Sequence, residues 1–303
     1  MRAQPAFLMT DPAHYAVSYE INPWMRPQVW DADPEAHLLK AQALWRKLRG
    51  AIVAEGGVVH IGRGAPAMPD MVFPANAGVI LNGRALLAKF RHPERAQEEA
   101  PFRAVFEGLR RAGILGEVAA NPGIVQEGAG DCIWDLRHRI FWAGGGPRSS
   151  PSAAPMIADH FGEEVVSLPL ASERYYHLDT CFCPLSGGEI LFYPPAIEPE
   201  GLRRIRERVA DELLIEASEE DARNFCVNAV GLGRTLVMST PSARLERQLA
   251  ERGYRVVGVD VSPFILSGGG AFCMTLRLDL ASTASAGGVA AASAARQLDE
   301  VTS

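Results

Sequence analysis

Along this chain a short apolar strand, a helix and another strand follow one another about every fifty to sixty residues. That rhythm limits the folds open to it. Residues 33–55 place Leu38, Leu39, Ala41, Leu44, Leu48 and Val53 at helical spacing with basic residues on the other side. Further helices are expected over 94–112 and 199–216, and near 242–252. Strands are expected over 58–61, 71–73, 78–81, 86–90, 133–142, 164–168, 176–183, 189–193, 235–239, 254–259 and 273–280. The alternation predicts an α/β architecture made of similar units, although no repeat is visible in the residues themselves.

With 303 residues, 48% of them apolar and 22% charged, the chain has the composition of a globular protein with one large domain or two small ones. The net charge of −6 gives no basic footprint, and the arginines of 202–208 are interleaved with Glu207, Asp211 and Glu212 as on a solvated helix face. No nucleic-acid partner is expected. Residues 1–10 lack the long apolar core of a leader, and no run of eighteen apolar residues occurs. A cytoplasmic protein without a membrane span is the expectation. Five cysteines without a paired CxxC disfavour a disulfide framework and structural zinc. Residues 281–303, rich in Ala, Ser, Gly and Thr, read as a flexible tail.

Four segments carry candidate chemistry. Cys273 follows Gly268-Gly269-Gly270-Ala271-Phe272 and precedes a strand-like run that would hold its sulfur still, although a lone cysteine in an apolar stretch is more often an inert small hydrophobe. In His177-Leu178-Asp179, strand geometry sends the imidazole and the carboxylate to one face, suited to proton transfer. A hydrogen-bonded imidazole at a strand edge is the alternative, and the segment alone favours it. In Gln126-Glu127-Gly128-Ala129-Gly130-Asp131, glycines leave room between two carboxylates for backbone or ligand, or form a turn with solvated acids. Asn76, in Phe73-Pro74-Ala75-Asn76-Ala77-Gly78, pins a turn or meets a ligand, and the segment by itself favours the turn. Cys181 and Cys183 share the face of His177 if alternation is unbroken, but a bulge near Pro184 would leave them as core. Taken together the segments suggest a thiolate nucleophile, an imidazole acid/base and a carboxylate that orients it or binds a cation.

The order of Tyr19-Glu20-Ile21-Asn22-Pro23-Trp24-Met25, the Asn76 segment, Glu127-Gly128-Ala129-Gly130-Asp131, His177-Leu178-Asp179-Thr180 and the Cys273 segment resembles the guanidine-modifying (amidinotransferase/arginine deiminase) superfamily. It looks most like the bacterial branch related to dimethylarginine dimethylaminohydrolase and arginine dihydrolase, over residues 7–280. The resemblance implies a pentein, a five-bladed α/β propeller of ββαβ units with its active site at the centre. It also implies one catalytic domain over 1–280, followed by the tail. Cys273 matches the family nucleophile, His177 the acid/base and Glu127 the carboxylate that contacts histidine or guanidinium. Asp179 matches the acid that binds guanidinium nitrogens. Arg91 and Arg148 match clamps for the substrate α-carboxylate, with Asn22 and Asp131 as further binding candidates.

Two departures bear on the substrate. Deiminases carry an aspartate where this chain has Asn76, and an amide there resembles the arginine dihydrolase and succinylarginine dihydrolase pattern. Phe272 precedes the nucleophile where small or hydroxyl residues are common. The activity implied is hydrolysis of arginine or an N-methylated arginine through a Cys-thiouronium intermediate, without metal or cofactor. Its products would be ornithine or citrulline with ammonia or dimethylamine. An amidinotransferase, or a binding protein that kept the fold, is the alternative. The expected partner is a small guanidine, and the number of subunits, a homo-oligomer included, is left open.

Overall fold

Parallel strands need a crossover between them, and a helix is the usual one; in this chain every crossover after the first follows a hairpin. The computed structural model describes residues 4–283. Strand β1 (Ala6–Thr10) runs parallel to β2 (Val58–Gly62) across the helix Pro34–Ala54. The hairpin β3 (Gly78–Leu81) and β4 (Arg84–Leu87) is followed by the helix Glu99–Arg111 and the parallel strand β5 (Glu117–Ala119). The same order repeats in β6 (Cys132–Asp135), β7 (Ile140–Gly145), the helix Ala153–Phe161 and β8 (Val165–Pro169). It recurs in β9 (Phe182–Pro184), β10 (Ile190–Phe192), the helix Pro199–Arg206 and β11 (Leu214–Glu216). A further copy is β12 (Val230–Leu232), β13 (Thr235–Met238), the helix Ala243–Glu251 and β14 (Arg255–Gly258). Finally β15 (Leu276–Arg277) returns antiparallel to β1, with Phe7 opposite Arg277, and supplies the partner that the first unit lacked.

Five three-stranded sheets result, each a ββαβ unit with a middle strand antiparallel to one neighbour and parallel to the other. This is the pentein architecture. β3 packs by β6 and β6 by β9, so the leading strands of these three hairpins are neighbours.

Local chemistry explains the helices. Asp33 caps Pro34–Ala54 by accepting the amide of Ala36 at 3.1 Å, and Pro34 occupies the first turn, where its missing N–H costs nothing. That helix buries Ala41, Leu44, Trp45, Leu48 and Ile52, whereas Leu39 and Val53, expected on the apolar face, are 59% and 50% exposed. The helix Glu99–Arg111 buries Phe102, Phe106 and Leu109, each contributing about 1.5–3 kcal/mol by leaving water.

Several boundaries differ from those expected. The run 71–73 is not a strand: Pro69 and Pro74 start two 3₁₀ turns, Pro69–Val72 and Pro74–Ala77. The stretch 133–142 is a hairpin, turned where Asp135 accepts the amides of Arg137 and His138 and Arg139 takes φ 58°. The helix expected over 199–216 stops at Arg206, and its last residues form β11. The helix over 94–112 divides into Pro93–Ala96 and Glu99–Arg111, with the Glu98 side chain turned inward onto Arg95. Of 273–280 only Leu276–Arg277 is strand. β1, β5 and β12, short and without clear alternation, lay outside the sequence expectation. Ala281–Thr283 follow the chain onto β3–β4, where Ser282 donates to Asn82 Oδ1 at 2.8 Å; the rest of the expected tail, 284–303, lies outside the described residues. Among the described residues no helix is long and apolar enough to cross a membrane.

Candidate active site

Turns rather than strands carry the candidate residues. Glu127 immediately precedes the short helical turn Gly128–Asp131, which lies against the Asn76 turn. Gly128 has φ 62°, and a Cβ there would stand 2.4 Å from the Ala75 carbonyl; one on Gly130 would meet Asn76 Nδ2 at 2.2 Å. Only glycine admits this approach. His177 is extended and is followed by the 3₁₀ turn Leu178–Thr180, so that this turn, and not the strand alternation expected from the sequence, sets the directions of His177 and Asp179. Cys273 also sits in a turn, with Thr275 N donating to Phe272 O at 2.8 Å, and its own carbonyl accepts Ala75 N at 3.3 Å. The nucleophile segment is thereby tied to the Asn76 segment, and it is a turn that holds the sulfur.

Glu127, His177, Arg148 and Asn76 form one buried network. His177 Nε2 is 2.8 Å from Glu127 Oε2, and Arg148 Nη1 donates to the same oxygen at 3.0 Å. The other carboxylate oxygen accepts the backbone N–H of Arg91 at 3.0 Å. Burial works to raise the Glu127 carboxyl, but Arg148 and the histidine outweigh it and hold it well below the usual range. Asn76 Oδ1 is taken by Arg95 Nη1 at 2.8 Å, which turns its amide nitrogen toward His177 Nδ1 at 3.4 Å. These partners fix the tautomer: Nδ1 accepts, and the ring proton on Nε2 faces Glu127. Asn76 therefore reaches into the site instead of only pinning its turn.

Cys273 belongs to an adjoining group. Its thiol donates to Asp179 Oδ2 at 3.2 Å, and Asn228 Nδ2 donates to the sulfur at 3.1 Å. Burial pushes the thiol well above its ordinary range, and the neighbouring Asp179 adds to this. Asp179 itself is pushed up to about 7, chiefly by burial. Its other oxygen, Oδ1, is buried with no hydrogen-bond partner among the described residues, which leaves an acceptor beside the sulfur. A planar cation with several N–H donors suits such a site, because it would satisfy Oδ1 and favour the ionised forms of both groups.

The remaining candidates differ in place. Asp131 is buried behind the histidine: its oxygens accept Leu178 N at 3.0 Å and Ser149 Oγ at 2.6 Å, and it lies 3.9 Å from His177 Nε2. Burial pushes it up to about 6. Asn22 is half-buried, donating to Ser267 O at 3.0 Å and accepting Trp24 N at 2.9 Å. Arg148 also donates to Ile21 O at 3.1 Å, and its guanidinium covers the Tyr176 ring at 4.5 Å. Arg91 is exposed, and its guanidinium donates to the carbonyls of Arg148 and Gly146. Cys181 and Cys183 are both core, in separate apolar clusters.

The sequence pattern of the eukaryotic N,N-dimethylarginine dimethylhydrolase family matches residues 19–280. The chain belongs to that family. It is 42% identical over 271 residues to the bifunctional arginine dihydrolase/ornithine cyclodeaminase ArgZ of Synechocystis sp., covering 89% of this chain and 37% of ArgZ. It is 34% identical to the N(G),N(G)-dimethylarginine dimethylaminohydrolase of Mycobacterium tuberculosis, covering 90% of this chain and 85% of that protein. The N-terminal domain of ArgZ superposes with a TM-score of 0.86 at 40% identity, over 92% of this chain and all of that domain, in a cysteine-to-serine variant bound to substrate. An asparagine-to-serine variant of the same domain is covalently bound to a reaction intermediate. This dimethylhydrolase-family chain thus spans under two-fifths of the length of its cyanobacterial relatives.

Two buried residues of this family member escaped the sequence reading. Arg95 lies in a charged stretch that resembles a surface helix, yet it is 3% exposed and binds Glu98 by two bonds, the Asp70 carbonyl and Asn76. Asn228 carried part of the signal that picked out Asn76, an amide within an apolar stretch, but no proline or directly flanking glycine marks it as Pro74 and Gly78 mark Asn76.

Proposed function

We propose that the chain is a guanidine hydrolase that converts arginine to ornithine through a covalent intermediate on Cys273. The observation that carries this reading is the burial, side by side, of the Cys273–Asp179 pair and the Glu127–His177 pair. In this reading Asp179, with Glu127 nearby, holds the guanidinium by charge-assisted hydrogen bonds, while Arg148, Arg91 and Asn22 hold the α-carboxylate end. Asp131 backs His177.

Cys273, as thiolate, forms a C–S bond to the guanidinium carbon. One C–N bond then breaks as His177 supplies a proton to the departing ammonia. Water, giving a proton to His177, adds to the thiouronium carbon and releases citrulline and the thiolate. A second cycle on the retained ureido group gives ornithine, ammonia and carbon dioxide. Asn76 supports this second cycle, because an amide donates to the urea oxygen where a carboxylate would repel it. The covalently bound ArgZ variant is consistent with the same chemistry. We further read residues 1–280 as one catalytic domain with a tail over 281–303, working in the cytoplasm without a nucleic-acid partner.

Product analysis by mass spectrometry with L-arginine and with asymmetric dimethylarginine, using Cys273→Ser as the blank, tests the reading. Ornithine from arginine is expected. Citrulline and dimethylamine from the methylated substrate alone would shift it to the methylarginine branch, and no product from either would overturn it.

A further inference from the structure

Asn228 is 0% exposed, and it meets the nucleophile at several points. Its Oδ1 accepts Cys273 N at 3.2 Å, and its backbone carbonyl accepts Phe272 N at 3.3 Å. Its Nδ2 donates to Asp179 O at 2.9 Å and to Cys273 Sγ at 3.1 Å. The amide cannot be flipped without loss. Cys273 N–H needs an acceptor and the Asp179 carbonyl needs a donor, so the second Nδ2 hydrogen is left to face the sulfur. The chain also makes room for this side chain: a Cβ on Gly270 would stand 2.6 Å from Asn228 Oδ1.

We infer that Asn228 is a catalytic residue, whose amide fixes the position of the Cys273 sulfur and stabilises its thiolate by a hydrogen bond. The need for such a donor follows from the surroundings. Asp179 faces the sulfur as an acceptor, which serves the neutral thiol and opposes the anion. Among the described residues Asn228 Nδ2 is the one side-chain donor that reaches Sγ. The amide is neutral and buried, so it steadies the anion without competing for the cationic substrate. Its bond to the Asp179 carbonyl keeps nucleophile and carboxylate in one register as the carbon changes from planar to tetrahedral.

The inference rests on Cys273 being the nucleophile, and the test separates the two. Asn228→Ala removes the donor, and Asn228→Asp keeps the shape while losing it. Alkylation of Cys273 by iodoacetamide, followed by peptide mass spectrometry from about pH 6 to 10, reads the thiolate without requiring turnover. Both variants are expected to alkylate roughly ten- to a hundredfold more slowly near neutral pH, in line with loss of a hydrogen bond to a charged group. Their alkylation midpoints should move to higher pH, and kcat should fall more than KM rises. Melting curves identify the variant that folds, and Asn228→Gln, which keeps the amide donor, should restore part of the rate. Unchanged alkylation rate and midpoint in a folded variant would overturn the role of Asn228 alone. Turnover by Cys273→Ser would overturn the nucleophile, and this inference with it.

Discussion

His177 is gripped from its Nε2 side by Glu127, 2.8 Å away, through a carboxylate oxygen that Arg148 also holds. All three side chains are nearly inaccessible to water. Removing one partner of such a buried group leaves the other charge without compensation, at a cost of roughly 3–5 kcal/mol. Glu127→Gln should therefore lower the melting temperature markedly and reduce kcat by more than tenfold, because the imidazole loses its orienting partner. Thermal melts and steady-state rates on one preparation check both parts. Normal stability with normal kcat would contradict the arrangement.

Asp179, Asp131 and Glu98 are pushed up by burial to about 7, 6 and 7. Each holds its proton in the folded protein at pH values where the unfolded chain has lost it. Their contribution to stability is fully present below the unfolded carboxylate range and is lost as pH rises through about 6 to 7. Glu127, held low, has the opposite sign and loses its contribution only as the solution turns strongly acidic. Asp179→Asn should lose less stability than the wild type between about pH 5 and 8. Denaturant unfolding at both pH values tests this, and equal losses would contradict it.

Gly130 is where the Glu127 turn and the Asn76 turn touch, and an added methyl would stand 2.2 Å from Asn76 Nδ2 and 3.5 Å from His177 Nδ1. Neither neighbour can move without breaking the network. Gly130→Ala should cost about 1–3 kcal/mol of stability by overpacking and cut kcat at least tenfold by displacing Asn76 from the imidazole. A variant with the activity and melting point of the wild type would show that the two turns are not held so closely.

The rhythm of strands and helices was legible because each ββαβ unit must bury one face of a helix such as Glu99–Arg111, and that leaves an apolar period in the residues. The turns were less so. Prolines at 69 and 74 make 3₁₀ turns from a run whose apolar residues look like a strand, since all of Pro69–Ala77 is buried and burial on every side erases alternation. His177, Glu127 and Cys273 stood out because glycines or a short motif surround them. Arg95 did not, because beside its local partner Glu98 its burial is set by Asp70 and Asn76, residues that only the folded chain brings to it. Asn228 lies 45 positions before the sulfur it touches, a separation that no local pattern records.

The central claim is that Cys273 becomes covalently attached to the substrate carbon. Rapid acid quenching of the enzyme during turnover of arginine, followed by peptide mass spectrometry, tests it most directly. The account predicts an S-alkylthiouronium adduct that keeps the ornithine chain, arginine less one ammonia, on the peptide containing Cys273, building up early and absent from Cys273→Ser, which should yield no product. Product formation by Cys273→Ser at the wild-type rate, or an adduct on a different cysteine, would contradict it.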